Sequence, residues 1–338
     1  MVIRFTYELL DRYDRPLGAL DGVTGGSVEV AALSRLGGSG SLSMDRTRDI
    51  DWLSHRVRIT YTDGDVSWPC GIFLFSSPTE HHDSMTVSYD VGLLTKMAII
   101  DQVALRDRYA VAAGSPVIPA VVGLIQSTGE TRVAVTPSDA TARADMTWKP
   151  GTSLLTVIND LLDSINYWTL RADSSGQFRV EPYVEPASRP ISKSFEHGEH
   201  SIHLPEWSHE QDNAAVPNVV VLTSQGDEET EGLVGEAINA NPDSKYSTVN
   251  RPELSYTEEG VEADSQATIN ALAQRKLLDL MSPVAKIGVS HAMVPLEPNQ
   301  LVEFIPEDGE RRLATIQRMS FDLRFDATIS AEWRLVDV

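Results

Sequence analysis

Residues 39–78 read SGSLSMDRTRDIDWLSHRVRITYTDGDVSWPCGIFLFSSP, and this stretch decides how the first hundred residues fold. Within it, Arg56-Val57-Arg58-Ile59-Thr60-Tyr61 alternates in the period of two that marks a half-buried strand. Ser41-Leu42-Ser43-Met44 repeats the pattern with small residues, and Ile72-Phe73-Leu74-Phe75 is a short apolar run. Turn residues separate the pieces, at Gly37-Gly38-Ser39-Gly40 and at Asp63-Gly64-Asp65. Working outward, Val2 to Leu9, Ser27 to Val30 and Met85 to Tyr89 carry the same signature. Short strands at this spacing predict a small antiparallel barrel or sandwich over residues 1–106.

The character changes after Asp107. Pro119 to Ile125 predicts a short helix, and Arg132-Val133-Ala134-Val135 a strand. Thr152 or Ser153 then caps an amphipathic helix near 153–165, where Leu154, Leu155, Ile158, Leu161, Leu162 and Ile165 make one apolar stripe. Tyr167 to Arg171 and Gln177 to Val180 read as two strands around a turn at Asp173-Ser174-Ser175-Gly176. Residues 107–188 are therefore α/β. Beyond Pro186 to Pro190, residues 189–225 hold strands, Val219 to Leu222 among them. Residues 226–283 combine an extended acidic stretch with a helix near 265–281, and residues 284–338 return to β. No repeat of solenoid or propeller period appears.

Composition narrows the function. The 338 residues carry 28 Lys and Arg against 49 Asp and Glu, a net charge of −21. Residues 1–110 are nearly balanced, with 15 acids to 11 bases, so the rest holds −17 of that total. Between Asp227 and Asp264 stand eleven acids against Lys245 and Arg251. Such acidity argues against wrapping a nucleic acid by neutralising phosphates. One cysteine, Cys70, excludes an internal disulfide framework and a multi-thiolate metal site. The start, MVIRFTYELLDRYDR, has no apolar signal segment. The uncharged run Tyr109 to Gly129 carries Gly114, Ser115, Pro116, Pro119, Gly123 and Ser127, so it reads as loop plus short buried helix rather than a membrane span.

The densest polar constellation is FEHGEHSIHLPEWSHE, which places His197, His200, His203 and His209 among four glutamates. Imidazole and carboxylate suit zinc, nickel or iron. The spacing fits neither H-E-x-x-H nor H-x-x-E-H, and Gly198 and Pro205 break a helix. Alternation across Ser201 to Leu204 predicts a strand with Ile202 and Leu204 on one face and His203 on the other. The expectation is no metal site, with adventitious binding left open. Cys70 precedes an apolar strand with His81 and His82 a hairpin away, which leaves a dyad open beside the simpler reading of buried packing. Gly37 to Ser43 lacks the third glycine of a dinucleotide fingerprint and the lysine of a phosphate loop, so it reads as a turn. Arg46, Arg48, Arg56 and Arg58 form the one basic cluster. Pairs such as Asp49 and Asp51 are expected by chance in so acidic a chain. The expected site inventory is empty: no catalytic, cofactor-binding or metal residues, and no cofactor.

The order β, α/β, mixed, β, with the phrases at residues 39–78, 151–183 (GTSLLTVINDLLDSINYWTLRADSSGQFRVEPY) and 267–278 (ATINALAQRKLL), resembles bacteriophage tail-tip hub proteins. These are minor tail proteins of long non-contractile tails, related in fold to contractile baseplate hubs and type VI secretion spikes. The resemblance implies an α+β, β-rich fold: two tube-type antiparallel β-barrel domains with inserted α/β and mixed domains, the second barrel formed by the strands of 189–225 and completed by 284–338. It implies a homotrimer, a pseudo-sixfold ring joining the tail tube or distal tail ring to threefold fibres or spike. Its partners would be those proteins and the tape-measure protein, at the tail tip of a virion assembled in the host cytoplasm. DNA would pass through without specific binding, and no stable membrane insertion is expected. Many such hubs continue into a fibre or lytic domain; this sequence ends at Val338, so host-binding or wall-cutting roles are not expected of it. Two rival readings stand beside this one, a cell-wall hydrolase using the His/Glu cluster and a non-viral β-rich binding module.

Overall fold

The computed structural model describes residues 3–142, 144–211, 216–224, 232–261, 265–281 and 285–336. Two compact units emerge: Met1–Trp207 together with Gly288–Val338, and Ser208–Ile287.

The first unit opens with β1 (Ile3–Leu10), β2 (Pro16–Ala19), β3 (Val23–Ala31), β4 (Gly38–Asp45), β5 (Arg56–Asp63), β6 (Val66–His82) and β7 (Val87–Thr95). They hydrogen-bond in the order β3-β4-β7-β6-β5-β1-β2, with every pair antiparallel. Alternation does the sorting: Leu42 and Met44 of β4, Val57, Ile59 and Tyr61 of β5, and Val91 and Leu93 of β7 all turn inward. Each such side chain contributes about 2 kcal/mol by leaving water. β3 and β4 lie unusually close. At Gly26 (φ +149°) a Cβ would stand 2.1 Å from the Ser41 carbonyl oxygen, so only glycine fits that crossing.

β6 runs 17 residues through Trp68-Pro69-Cys70-Gly71, where the sequence led only into a shorter strand. Its ladder with β5 slips between Ile59 and Thr60, which face Gly71 and Pro69. Cys70 is the extra residue, and the irregularity accommodates a proline that cannot donate to a ladder.

An α/β insert follows: α1 (Met97–Asp101), β8 (Tyr109–Val111), α2 (Val117–Ser127), β9 (Val133–Val135), β10 (Met146–Trp148), α3 (Leu154–Asp163), β11 (Arg171–Ala172) and β12 (Phe178–Val180). Ser153 caps α3, its hydroxyl accepting from the Thr156 N–H at 3.2 Å. The stripe from Leu154 to Leu162 is buried against α2 and the insert's small sheets. Most of the expected strand from Tyr167 to Arg171 is irregular, keeping an isolated bridge to Pro182 and the two residues of β11. Its backbone is committed elsewhere: the Leu170 N–H donates to Asn159 on α3.

The chain then makes β13 (Ile191–Glu196) and β14 (His203–Gln211). The second unit holds β15 (Val219–Thr223), β16 (Val234–Ile238), β17 (Ser255–Glu259) and α4 (Gln266–Met281). β15 is central in a three-stranded sheet, antiparallel to β16 and parallel to β17. This corrects two expectations. Val219 to Leu222 does not join the strands of a second tube-type half. The acidic stretch is not merely extended, since it supplies both edge strands. Ile269, Ala273 and Leu277 of α4 bury against Val220, Leu222 and Ala237, and Gly235 lets the helix backbone approach. Of the acids between Asp227 and Asp264, residues 227–231 and 262–264 lie outside the described residues.

β18 (Ala285–Ala292), β19 (Leu301–Ile305), β20 (Arg312–Asp322) and β21 (Thr328–Leu335) close the chain. β20 is the keystone. It pairs with β19 and β21 in the second tube-type half and, at its far end, with β3 of the first, through Arg318 opposite Ala31 to Asp322 opposite Ser27. The result is one 13-stranded sheet running β14-β18-β21-β20-β3 and on into the first half, with β19 and β13 branching from β20. In the first half, Phe5 of β1 stacks on Phe321 of β20 at 6.1 Å, so the sheet has curled until its ends meet. In the second, Phe195 of β13 reaches Trp333 of β21 at 4.9 Å. The α+β, β-rich fold with two tube-type halves is thus present.

Candidate functional site

Among the described residues, one compact cluster of charge is buried. Arg56, at the start of β5, places Nη1 2.6 Å from Asp14 Oδ1 and Nη2 2.6 Å from Glu130 Oε1. Lys96, between β7 and α1, places Nζ 2.6 Å from Asp14 Oδ2 and 2.7 Å from Glu130 Oε2. Two buried cations and two anions alternate in a ring, and the half-exposed Arg132 approaches Asp14 Oδ2 at 3.7 Å from outside it. No member is more than 8% exposed, and Lys96 is wholly buried.

The fold assembles this ring from distant segments. Asp14 sits in the β1–β2 turn at φ +63°, a left-handed position that Asp tolerates. Glu130 follows the C-terminus of α2, and Lys96 also donates to the Gly176 carbonyl at 3.0 Å beneath the Phe178 ring. Asp14, Arg56 and Lys96 belong to the tube-type half; Glu130, Gly176 and Phe178 belong to the insert. The ring therefore fixes the insert on the barrel wall. Each carboxylate oxygen is occupied by a cation, so neither carboxylate is free to act as base or nucleophile. Removing one partner would leave an uncompensated buried charge, a loss of about 3–5 kcal/mol.

Above this junction is a cleft of about 650 Å³. Its rim is tied by Glu297, which accepts from the Ser174 N–H and hydroxyl at 3.0 Å and pairs with Arg171 at 3.0 Å.

The residues singled out in the sequence fall as follows. Arg46, Arg48, Arg56 and Arg58 do not form a basic patch. Arg46 pairs with Asp49, Arg48 donates to the Ala19 carbonyl, Arg58 pairs with Glu8, and Arg56 enters the buried ring. Asp51 caps its own loop, accepting from the Leu53 N–H. Cys70 and His81 are not across a hairpin: both lie on β6, eleven residues apart, roughly 30 Å or more along the strand. His81 bonds Asp90 instead, and burial pushes the Cys70 thiol up to about 12. That is the reverse of what activates a thiol.

His197, His200 and His209 are exposed, while His203 is 6% exposed. The alternation holds, and it is the histidine face that turns inward, since Leu204 is 46% exposed and His203 points into the core. The Nδ1 of His203 donates to the Leu204 carbonyl at 2.7 Å, and Phe304 and Trp207 supply an aromatic wall that prefers a flat ring to a leucine. Among the described residues no three His, Cys, Asp or Glu side chains gather as a metal would need. None of the described helices is long and apolar enough to cross a membrane; Tyr109 to Gly129 yields α2, of 11 residues.

Sequence reading missed Asp14, Lys96 and Glu130. A signal existed for one of them: Lys96 is the lone charge in the apolar run Val91 to Ile100, and a lysine there must be paired if it is buried.

No protein-family model matches the chain, and no curated protein matches it by sequence. Solved structures do. The tail protein of Neisseria meningitidis MC58 aligns with TM-score 0.68 at 13% identity, covering 99% of this chain and 97% of that one. The 43 kDa tail protein of prophage MuSo2 from Shewanella oneidensis aligns with TM-score 0.68 at 11% identity, over 98% of each. An Escherichia coli type VI secretion component, described as structurally similar to T4 tail proteins, aligns with TM-score 0.53 at 10% identity over 94% of this chain and 75% of its own length. The chain has the fold of these phage tail proteins and of this type VI secretion component.

Proposed function

We propose that this chain is a structural component of a phage-type tail, a hub at the tail tip or baseplate that takes no part in catalysis and uses no metal or cofactor. The observation that carries the reading is the single sheet welded by β20 through two tube-type halves, in a chain whose whole length follows solved tail proteins. Each copy supplies two tube-type elements, so three copies close a pseudo-sixfold ring by heterologous contacts. Free sheet edges favour such addition, and all four residues of the edge strand β2 are exposed. The ring joins a sixfold tail tube or distal tail ring to threefold fibres or a spike, with the tape-measure protein and then DNA in its bore.

The net charge of −21 supports passage without binding. Carboxylates repel phosphates, an effect screened beyond about 8 Å at physiological salt. Gold-labelled antibody against the chain, applied to purified particles, is expected to decorate only the distal end of the tail. Label on the capsid or along the whole tail would contradict the hub. Duplex DNA binding that weakens steeply with salt would contradict the passive bore alone.

A further inference from the structure

The second tube-type half buries three ring nitrogens that meet no partner among the described residues: His203 Nε2, His291 Nε2 and Trp333 Nε1. His291 and Trp333 are fully buried and His203 is 6% exposed. The tautomers follow from geometry. Each imidazole sets Nδ1 against the carbonyl of the next residue, Leu204 at 2.7 Å and Ala292 at 2.8 Å. A carbonyl only accepts, so the proton is on Nδ1, and each Nε2 presents a bare lone pair. The indole Nε1 can only donate.

These rings form one cluster. His291 lies 5.8 Å from Trp333 and 4.8 Å from Phe195; Phe304 lies 5.7 Å from Trp333 and 5.2 Å from His203. The backbone bond from the Ala292 N–H to the Ile202 carbonyl joins β18 and β14 beside the two histidines. Buried polar atoms in native cores are almost always satisfied, so three orphans in one cluster point to a guest.

The chemistry of the guest is set by the inventory of two acceptors and one donor. Water matches it, offering two O–H donors and a lone pair, and polar pockets in cores commonly hold it. A cation does not match, because an indole N–H cannot ligate and no third His, Cys, Asp or Glu gathers there among the described residues. We propose that the His203–His291–Trp333 cluster is a hydration site, with ordered water in the core of the second half donating to the imidazole lone pairs and accepting from the indole N–H. The site also gives β14 a reason to turn His203 inward: a slip of one residue would put Leu204 against the same polar atoms.

A crystal structure of the intact chain at atomic resolution tests this without any variant. The expected result is a solvent peak at about 2.7–3.2 Å from at least two of the three nitrogens. Nitrogen-15 imidazole shifts of the intact chain are expected to show Nδ1–H tautomers whose Nε2 accepts a hydrogen bond. A dry cluster, rings rotated so that protein groups satisfy Nε2, or an anomalous peak from a stoichiometric metal ion would each overturn the proposal.

Discussion

Two regions of the first unit bury polar groups in opposite ways. At the junction of the first tube-type half and the insert, four full charges are buried and every one is ion-paired, at 2.6–2.7 Å, with Arg56 Nε the one nitrogen of the ring that meets no partner among the described residues. In the core of the second half, the buried polar groups are neutral and their outward nitrogens have no protein partner. The first arrangement is intolerant of losing a member. The second is intolerant of gaining a proton. Hence the same fold should fail by mutation at one place and by acid at another.

The largest expected effect is at the ring. Lys96→Met leaves two buried carboxylates sharing Arg56, with Arg132 3.7 Å from Asp14 alone, and should cost about 3–5 kcal/mol in denaturant unfolding. Combining it with Glu130→Gln restores neutrality and should cost clearly less than the two single changes together. Additive losses would mean that the four groups do not act as one network.

Acid should act next, and on the other region. Desolvation by burial lowers the pKa of His291 from 6.5 to about 4, with repulsion from His203 a smaller cause in the same direction. The folded state thus disfavours the protonated ring. Its stabilisation is full above pH 6.5 and is lost as pH falls from there to about 4, a change of about 3 kcal/mol. A His291→Phe chain should show a flatter stability profile across that window. An unchanged slope would remove His291 as the cause.

A smaller effect separates local from tertiary stabilisation. Ser153→Ala removes the α3 cap and should cost about 1 kcal/mol, without altering either the ring or the acid response. A shift in the acid midpoint would show the two regions to be coupled after all.

What the sequence revealed follows from the range of the interactions. Period-two alternation in Arg56 to Tyr61 and the apolar stripe of α3 are local signals, and both elements were legible. The buried ring is not local: its partners are 34 to 82 residues apart, which no spacing rule reaches. Alternation in Ser201 to Leu204 gives two faces but does not say which faces the core; that depended on Phe304, about a hundred residues later. Val219 to Leu222 was legible as a buried strand but not as part of its own sheet, since a short apolar run looks alike in any buried sheet. Proline and glycine hid the continuity of β6, because a bulge tolerates them where a regular ladder does not.

The central claim is that one chain carries two tube-type elements so that a threefold ring can mimic a sixfold one. Copy number within the assembled tail, by native mass measurement or symmetry-free image reconstruction, tests this most directly. The account predicts three copies per particle at one level of the tail. Six copies, or one, would contradict it.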